Sequence, residues 1–401
     1  MATPDIIPRF SGFVYSHSAL FSSYVPNFPS NFPRLTSIGV WRYNFPENDA
    51  EGMSVKKWLL LLLLLLPCPA CTEQTQVTVT FVGDCTLGCE DRIREQEKSF
   101  DSYAKKYGYG YFFDQVRSIV ETDDITVANL EGVFLNSSFG EAEKTYHFRG
   151  EKDFVNILPA SSVEAVNIAN NHILDYGSNG AKRTAEVLDK AGQGWFGTLD
   201  PVKRTCVIER KGIRFGFVGV MPGYYWDHQK LVEKQMQDLR EKDGCAVVIG
   251  VMHMGAEYET RREQRQENMA RAFLRMGADV VIGHHPHVLQ GIDVIDGKMV
   301  CYSIGNFVFG GNAQVRAPYT ALFQFTFTFD EQGKYLGHQL NIIPALPSGE
   351  REYNNYQPVL ATGEDAETVM RQIQADTAFP LNPYTEGVGA VQDFVPNPEL
   401  Q

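Results

Sequence analysis

The sequence predicts an α/β fold whose strand ends carry side chains that can bind metal ions. Short apolar runs rich in β-branched residues alternate along the chain with charged segments of helical spacing, a pattern typical of α/β proteins. Five of these runs lead directly into carboxylate, amide or imidazole side chains. Because ligands bind outside the carboxyl ends of the strands in open α/β sheets, this coincidence indicates a common site.

The clearest strand end lies within residues 277–291. The apolar run Ala278–Ile282 leads into the letters GHHPH, so three imidazoles follow one buried strand. Pro286 favours an extended backbone at His285, and residues two apart in an extended segment face the same side. His285 and His287 are therefore expected to converge on one point, as ligands of zinc, iron or manganese. The alternative is a pair of hydrogen-bonded loop histidines.

Composition indicates the class of protein and its partners. A chain of 401 residues is long enough for one large domain or two ordinary ones. Its apolar content of 43% and charged content of 21% are those of a soluble globular protein. The net charge of −13 argues against nucleic acid as a partner but leaves room for a local cationic pocket. The seven cysteines lack the two Cys-x-x-Cys pairs of a zinc ribbon, so most are expected to be core residues.

Residues 53–71 predict a bacterial lipoprotein signal peptide. Two lysines precede the apolar segment Trp58–Leu66, which is shorter than the roughly 20 residues that span a bilayer. The residues after it are similar to a lipoprotein cleavage box, so Cys71 is the candidate lipidated residue. The mature protein is then expected to be membrane-anchored in the bacterial cell envelope, facing outside the cytoplasm. An ordinary secretory signal is the alternative.

Residues 1–52 precede this signal and are rich in Pro, Ser, Phe and Asn, without helical or strand periodicity. Signal peptides stand at the true N-terminus of a protein. Met53 is therefore expected to be the natural start, and residues 1–52 a non-native upstream extension from a misplaced start codon.

Four other strand ends carry candidate ligands. The predicted strands are the runs at 77–82, 124–128, 162–169 and 245–252. They lead in that order into Asp84, Glu131, Asn171 with His172, and His253. A turn is the alternative for Asp84 and for the Asn pair.

Helices and a hairpin are predicted between and after these strands. The predicted helices cover about 180–190, 227–242 and 260–276. A hairpin is expected to turn at Asp296-Gly297, and two β-rich runs follow at 321–329 and 335–343.

The candidate ligands mix carboxylate, amide and imidazole groups. Such ligands suit manganese, iron, zinc or magnesium. They do not resemble the thiolate ligands of a structural zinc site. A cluster of this size could hold two ions roughly 3.5–4 Å apart, the arrangement used to cleave phosphate esters.

Six short motifs occur in order along the chain. They are Val82-Gly83-Asp84, Asn129-Leu130-Glu131-Gly132, Asn170-Asn171-His172 with Asp175-Tyr176-Gly177, His253-Met254-Gly255, His285-Pro286-His287 and Ser303-Ile304-Gly305-Asn306-Phe307. This order resembles that of CapA-type proteins, the poly-γ-glutamate capsule biosynthesis family, which is similar to the calcineurin-like metallophosphoesterases. The resemblance covers about residues 75–343. It implies a four-layer α/β/β/α sandwich of the metallophosphoesterase type over residues 72–346, followed by a polar C-terminal tail at 347–401.

The resemblance also implies a role for each matching residue. The implied metal ligands are Asp84, Glu131, Asn171, His253, His285 and His287. Glu131 stands where a metal-bridging Asp usually lies, and His172 matches the histidine placed near the leaving oxygen. One or two divalent ions, of Mn, Fe, Zn or Mg, are implied as cofactors.

The chain departs from the phosphoesterase pattern at two points. Those enzymes carry Asp-x-His on the first strand, whereas Asp84-Cys85-Thr86 lacks that His. Glu131 is also one methylene longer than Asp. One metal position is therefore short of a ligand, which leaves a mononuclear and an uneven dinuclear site both open. A buried core residue is favoured for Cys85 over a soft metal ligand.

The hypothesised reaction begins with attack on a phosphoryl or acyl centre by water that the metal activates. His172 then protonates the leaving group, and Asp175 is the candidate that orients His172, with an Asx turn as the alternative. Arg149 is a candidate bidentate clamp for an anionic group, with a solvated surface role as the alternative. Asn306 is a candidate to line the site, with a turn role as the alternative.

Three functions are compatible with the sequence. The first is a metal-dependent hydrolase of the envelope that acts on a phosphoester or on a γ-glutamyl or related amide polymer. The second is a non-catalytic, anchored scaffold subunit of a polymer synthesis or export complex. The third is a module that binds polyanions or peptidoglycan, which the charge of −13 disfavours. The retained histidines favour the first, and the missing Asp-x-His histidine favours the second.

Overall fold

The computed structural model describes residues 74–400 of the chain. The expectations about residues 1–52, about the signal peptide at 53–71 and about lipidation of Cys71 fall outside this range. Within it, no helix combines the length and the apolar character needed to cross a membrane.

Strands and helices alternate through most of the described chain. The strands are β1 (Thr75–Thr86), β2 (Ile125–Leu130), β3 (Val133–Phe134), β4 (Arg149–Gly150), β5 (Ala165–Asn167), β6 (Gly194–Thr198), β7 (Lys203–Arg204), β8 (Cys206–Arg210), β9 (Ile213–Val220), β10 (Val247–His253), β11 (Val280–His284), β12 (Ile292–Ile295), β13 (Lys298–Cys301), β14 (Asn306–Phe309), β15 (Thr320–Phe329), β16 (Tyr335–Leu346), β17 (Val359–Leu360), β18 (Ala390–Val391) and β19 (Val395–Pro396). The α-helices are α1 (Phe100–Tyr107), α2 (Arg117–Val120), α3 (Ile157–Ala160), α4 (Gly177–Lys190), α5 (Pro222–Glu241), α6 (Gln264–Arg275) and α7 (Gly363–Ala375). Short 3-10 helices lie at Asp91–Ile93, Tyr109–Val116, Lys152–Asn156 and Pro398–Leu400.

Two sheets share one strand. In the first sheet, β1 lies parallel to β2 and antiparallel to β15, and the sheet continues through β5 on one side and β16 on the other. In the second sheet, β9, β10, β11 and β13 are parallel neighbours. Strand β6 belongs to both, because it pairs with β5 and, at Thr198, with Val220 of β9.

The inner faces of the two sheets pack against each other. Alternate side chains of each strand point inward, so Phe81 and Phe327 of the first sheet share a fully buried core with Phe215 and Ile249 of the second. The rings of Phe215 and Phe327 meet edge to face, with centroids 5.3 Å apart, a favoured aromatic geometry. This apolar core fixes the position of one sheet against the other.

Helices cover both outer faces. Ala181 and Leu188 of α4 pack with Val166 of β5 outside the first sheet. Met236 of α5 and Phe273 of α6 pack outside the second sheet. The four-layer α/β/β/α sandwich implied by the resemblance is therefore confirmed.

Two helices begin at different residues from those predicted. Helix α5 begins at Pro222 rather than near 227, because proline suits the first turn, where its missing N–H is not needed. Helix α6 begins at Gln264 rather than near 260. The backbone N–H of Glu263 donates to Gln266 Oε1 at 2.8 Å, which caps the helix at this point.

The hairpin predicted at Asp296-Gly297 is confirmed. Strands β12 and β13 pair antiparallel around these two residues. Asp296 has φ +51° and Gly297 has φ +75°, and two positive φ angles at the centre are what a tight type I′ hairpin requires.

The segment that the sequence assigns to a polar tail is folded against the rest of the chain. Strands β17, β18 and β19 pair antiparallel with β16. Val369 and Ile373 of α7 are fully buried in the core between the sheets. The sequence-based assignment is wrong because the segment is mostly polar in composition. Two apolar residues one helical turn apart are nevertheless enough to bury one side of α7.

Gly83 determines how closely β1 approaches the loop before β14. A Cβ atom at Gly83 would lie 2.1 Å from the carbonyl oxygen of Gly305, and the N–H of Asp84 donates to that oxygen at 2.9 Å. We therefore expect Gly83→Ala to displace Asp84 and to lower the free energy of unfolding in urea by about 1–3 kcal/mol.

The control is Gly223→Ala in α5, where an added Cβ would meet no atom within 4 Å. This variant should be as stable as the parent or slightly more stable, because alanine favours helix. Equal stability of the two variants would contradict the packing argument.

Candidate metal centre

Strand register brings the candidate ligands to one edge of the molecule. Asp84 near the end of β1 aligns with Asn129 of β2, and His253 at the end of β10 aligns with His284 of β11. Both pairs of strands are parallel, so the polar side chains that follow them gather at the same edge. The short contacts described below join the two sheets at this edge.

The loop after β11 adopts a conformation that differs from the predicted one. His285 has φ +98° and His287 has φ +61°, so the extended backbone expected at His285 is wrong. The N–H of Tyr258 donates to the carbonyl oxygen of Pro286 at 2.7 Å, which helps to hold this loop. A non-glycine residue in such a conformation costs of order 1–3 kcal/mol. Both strained residues are histidines of the cluster, and the centroids of their rings lie 6.0 Å apart.

Asp84 is a fully buried carboxylate surrounded by donors. Its Oδ1 accepts a hydrogen bond from Asn129 Nδ2 at 2.9 Å and lies 3.0 Å from His284 Nδ1. Its Oδ2 lies 3.1 Å from His287 Nδ1. Burial alone would raise the pKa of Asp84, but hydrogen bonds from His284 and His287 hold this pKa well below its usual range. Asp84 is therefore ionised at neutral pH.

Glu131 is a buried carboxylate without hydrogen-bond donors. Neither of its oxygens accepts a hydrogen bond from the described part of the chain, although the side chain is fully buried. Its Oε1 lies 3.6 Å from His253 Nε2 and 3.8 Å from the Nε2 atoms of both His172 and His287. Burial and the charge of Asp84 raise the pKa of Glu131 well above its usual range. Such a carboxylate is unfavourable unless a cation compensates it, so its surroundings fit a metal ion.

His253, His285 and Asn171 form one side of the cluster. His253 Nε2 lies 2.7 Å from Asn171 Oδ1 and 3.1 Å from His285 Nδ1. Burial lowers the pKa of His253 well below its usual range. Burial and the nearby His287 lower the pKa of His285 to about 4. Both rings are therefore neutral at pH 7, and a neutral imidazole is the form that ligates metals.

His287 connects the two carboxylates. Its Nδ1 lies against Asp84 and 2.9 Å from Asn306 Oδ1, while its Nε2 faces Glu131. Burial alone would lower the pKa of His287, but Glu131 and Asp84 raise this pKa to about 9. Without a metal, the protonated ring is thus the cation that offsets part of the negative charge.

His172 presents one ring nitrogen to the cluster and anchors the other. Its Nδ1 lies 2.8 Å from Asp175 Oδ2, and the buried Asp175 also accepts from the N–H of Phe148 at 2.7 Å. Lys144 forms an ion pair with Asp175 and donates to the carbonyl oxygen of Asn171 at 2.8 Å. Burial lowers the pKa of His172, and the hydrogen bond with Asp175 opposes that effect. Asp175 therefore lies where it can orient His172, the role for which the sequence makes it a candidate.

The two candidate substrate-binding residues lie in different environments. Asn306 belongs to the cluster through its contact with His287. Arg149 donates to the carbonyl oxygen of Leu135 at 3.0 Å and pairs with Asp91 at 2.7 Å. None of its polar contacts with described residues reaches the cluster, so the structure gives Arg149 a role in joining local loops.

None of the cysteines between residues 74 and 400 contributes a ligand to the cluster. Five cysteines in the described range are free and buried. The Sγ of Cys85 lies 3.5 Å from the carbonyl oxygen of Gly83, and burial raises the pKa of its thiol to about 12. The predicted core role of these cysteines is confirmed.

His284, Asn129 and Asn167 shape the site without being predicted as ligands. Asn167 Nδ2 donates to Asn129 Oδ1 at 2.8 Å, which turns the amide nitrogen of Asn129 towards Asp84. Asp84, Asn129 and Asn167 occupy aligned positions of three parallel strands. Knowing this alignment would identify Asn129 and Asn167 as neighbours of Asp84. The alignment depends on strand register, which the sequence alone does not specify.

Two overlapping groups of side chains could hold a metal ion. One consists of Asp84, Glu131 and His253, and the other of Glu131, His285 and His287. Within each group, the ligand atoms lie within 4.8 Å of one another. Oxygen and imidazole ligands suit Mn, Fe, Zn or Mg. Because both groups contain Glu131, the geometry fits one ion in either group or two ions that share Glu131.

The fold and the site define a class of protein, an α/β/β/α sandwich with a cluster of carboxylates and imidazoles at its strand ends. The chain belongs to the family described as bacterial capsule synthesis protein PGA_cap, whose model matches residues 78–311. The matched range contains every candidate metal ligand. The resemblance to CapA-type proteins is therefore confirmed.

Two named bacterial proteins are similar to this chain in sequence. The capsule biosynthesis protein CapA of Bacillus anthracis is 28% identical over 274 residues, which cover 63% of this chain and 64% of that protein. This chain thus spans slightly less than two thirds of that relative. The PGA biosynthesis protein CapA of Bacillus subtilis is 28% identical over 322 residues, covering 76% and 79%. Among solved structures, a novel phosphatase from Mycoplasma pneumoniae is 13% identical, covers 68% of this chain and 94% of that chain, and has a TM-score of 0.42.

Substitution of Glu131 tests whether its carboxylate is a cation ligand. In metal-free protein, we expect Glu131→Gln to raise the free energy of unfolding by about 1 kcal/mol or more, because a neutral amide avoids the cost of burying the charge of Glu131 or of protonating it. Saturating Mn²⁺ or Zn²⁺ should stabilise the parent by about 2.7 kcal/mol at 100 times the dissociation constant and the variant far less.

The matched control is Glu331→Gln at an exposed turn, which should change neither quantity. A Glu131→Gln variant that is less stable without metal and equally stabilised by metal would contradict the assignment.

Proposed function

We propose that this protein is a metal-dependent hydrolase of the poly-γ-glutamate pathway, which cleaves a phosphoester or a γ-glutamyl amide bond. The observation that carries the proposal is Glu131, a fully buried carboxylate with no hydrogen-bond donor among the described residues and three imidazole nitrogens around it. A site that only stabilised the fold would satisfy this carboxylate with donors. A site that binds a cation leaves its oxygens free.

The residues of the cluster divide into two roles. Glu131, Asp84, Asn171, His253, His285 and His287 would hold one or two divalent ions. Bound there, a divalent ion supplies Lewis-acid polarisation of a phosphoryl or carbonyl oxygen and lowers the pKa of water. His172 keeps Nδ1 against Asp175 and directs Nε2 inward, which suits it to donate a proton to the leaving oxygen or nitrogen.

The substrate class follows from the relatives and from the chemistry of the site. The two Bacillus relatives are named for capsule and PGA biosynthesis, which supports an anionic polymer as the substrate. Carboxylate and imidazole ligands of this kind serve both phosphoester and amide hydrolysis. The proposal therefore includes a phosphoester and a γ-glutamyl amide as the bond that is cleaved.

The proposed location is the bacterial cell envelope. The segment at 53–71 has the composition of a lipoprotein signal peptide, with Cys71 as the lipid acceptor. A lipid anchor would hold the folded domain at the membrane, outside the cytoplasm, where a polymer synthesis complex could contact it.

A non-catalytic scaffold is the second candidate. The observation that favours it is Thr86, which occupies the position of the missing first-strand histidine and offers no imidazole. In this account, the cluster binds a metal for structural reasons and the protein organises a synthesis or export complex.

Variants of His172 separate chemistry from metal binding. On a chromogenic phosphodiester and a γ-glutamyl anilide, we expect His172→Ala to lower kcat by about 10²- to 10⁴-fold, because proton donation to the leaving group is lost. The metal content should stay at the parent value. The double variant His285→Ala/His287→Ala should lose both metal and activity.

The control is His228→Ala in α5, whose Nδ1 lies 3.0 Å from the carbonyl oxygen of Tyr224. Its activity and metal content should match those of the parent. A metal-loaded parent that cleaves neither substrate class would overturn the hydrolase in favour of the scaffold.

A further inference from the structure

One exposed tryptophan, Trp226, lines two cavities, and the first of these cavities borders the metal centre. The first has a volume of about 280 Å³, and the second of about 270 Å³. The first is lined by Asn171, Met221, Pro222, Trp226, His253, Met254, Gly255, Glu263, Arg265 and His285. The second is lined by Tyr225, Trp226, Gln229, Asn268, Arg271, Ala272 and Arg275. Trp226 lines both cavities, and we call the two together the path; its first cavity is also lined by Asn171, His253 and His285 of the metal centre.

Helix α6 supplies three arginines to this path. Arg265 lines the first cavity, and Arg271 and Arg275 line the second. All three are exposed. They extend along about 15 Å of the helix, at 1.5 Å per residue. The acidic residue of α6, Glu267, is paired with Arg262 at 2.9 Å, and no carboxylate in the described chain forms an ion pair with the three arginines.

The charge of the path is opposite to that of the whole chain. Three arginines and one acidic residue, Glu263, are found among the residues that line the two cavities. The chain as a whole has a net charge of −13. A local positive surface attracts an anionic ligand, whereas the rest of this acidic protein repels such a ligand.

The path also offers an apolar surface. Trp226 is 47% exposed, and its ring lies edge-on to Tyr225 with centroids 5.0 Å apart. Met221 and Met254 extend the apolar lining to the metal centre. An exposed aromatic ring that shares these cavities with arginines fits an anionic chain with aliphatic stretches between its charges.

We propose that Trp226, Arg265, Arg271 and Arg275, the arginine track, bind a polymer that carries regularly spaced carboxylates on an aliphatic backbone. The track guides this polymer to the metal centre. The arginines pair with successive carboxylates, and Trp226 packs against the methylene groups between them. The inference rests on the proposed function, since the first cavity opens onto His253, His285 and Asn171 of that site. A phosphate polymer has no comparable aliphatic spacing and is the competing ligand.

Equilibrium binding of polymers tests the track. The probes are a short and a long γ-linked glutamate oligomer and inorganic polyphosphate, titrated into the metal-loaded full chain. We expect the long oligomer to bind more tightly than the short one. The variant Arg265→Gln/Arg271→Gln/Arg275→Gln should bind the long oligomer about tenfold more weakly, and Trp226→Ala should weaken it as well.

The matched control removes three positive charges elsewhere. Lys182, Lys190 and Lys334 are exposed, and Lys182→Gln/Lys190→Gln/Lys334→Gln should bind the long oligomer as the parent does. Equal weakening of both triple variants would show an effect of net charge alone and would overturn the track. Preference for polyphosphate over the long oligomer would overturn it too.

The experiments can disprove the arginine track and the proposed hydrolase separately. If the track variant binds the long oligomer as tightly as the parent while the parent still cleaves small substrates, the track is wrong and the proposed hydrolase stands. If the parent cleaves nothing but binds the oligomer through the arginines, the track stands and the hydrolase is wrong. Metal content, measured on each variant, should equal that of the parent and shows that the centre is intact.

Discussion

Two carboxylates buried at one edge of the molecule are the constraint on which the site depends. Asp84 accepts a hydrogen bond from Asn129 and lies within 3.1 Å of the Nδ1 atoms of His284 and His287, whereas neither oxygen of Glu131 accepts a hydrogen bond from the described residues. Two buried negative charges whose oxygens lie within 4.8 Å of each other repel strongly. The surrounding imidazoles respond in opposite directions, because the pKa of His287 rises to about 9 while that of His285 falls to about 4. The cluster is therefore built around a positive charge that a metal ion supplies best.

The fold supports this cluster by aligning strands from two sheets. Asp84 and Glu131 come from the first sheet and its following loop, and His253 and His285 come from the second. The packing of Phe215 against Phe327 fixes one sheet on the other, so a change in this core would shift the histidines relative to the carboxylates. The histidine loop adds local strain at positive φ, which the packed strands beneath it can bear.

The strand ends were predictable because apolar runs and the residues that follow them are local features of the sequence. The positions of Asp84, Glu131 and His253 at one edge follow from such runs. Asn129 and Asn167 were not predictable as partners of Asp84, because their contacts depend on the register between strands. The ion pair of Lys144 with Asp175 joins residues 31 positions apart, and the guanidinium of Arg149 turns to local loops. Both depend on tertiary packing, as does the burial of α7.

The central claim is that Glu131 and its neighbours bind a divalent cation. Anomalous diffraction from crystals grown with manganese, recorded at the manganese absorption edge, tests it most directly. The account predicts one or two anomalous peaks beside Glu131, bounded by Asp84, His253, His285 and His287. A well-ordered site with no peak there under saturating manganese, iron or zinc would contradict the account.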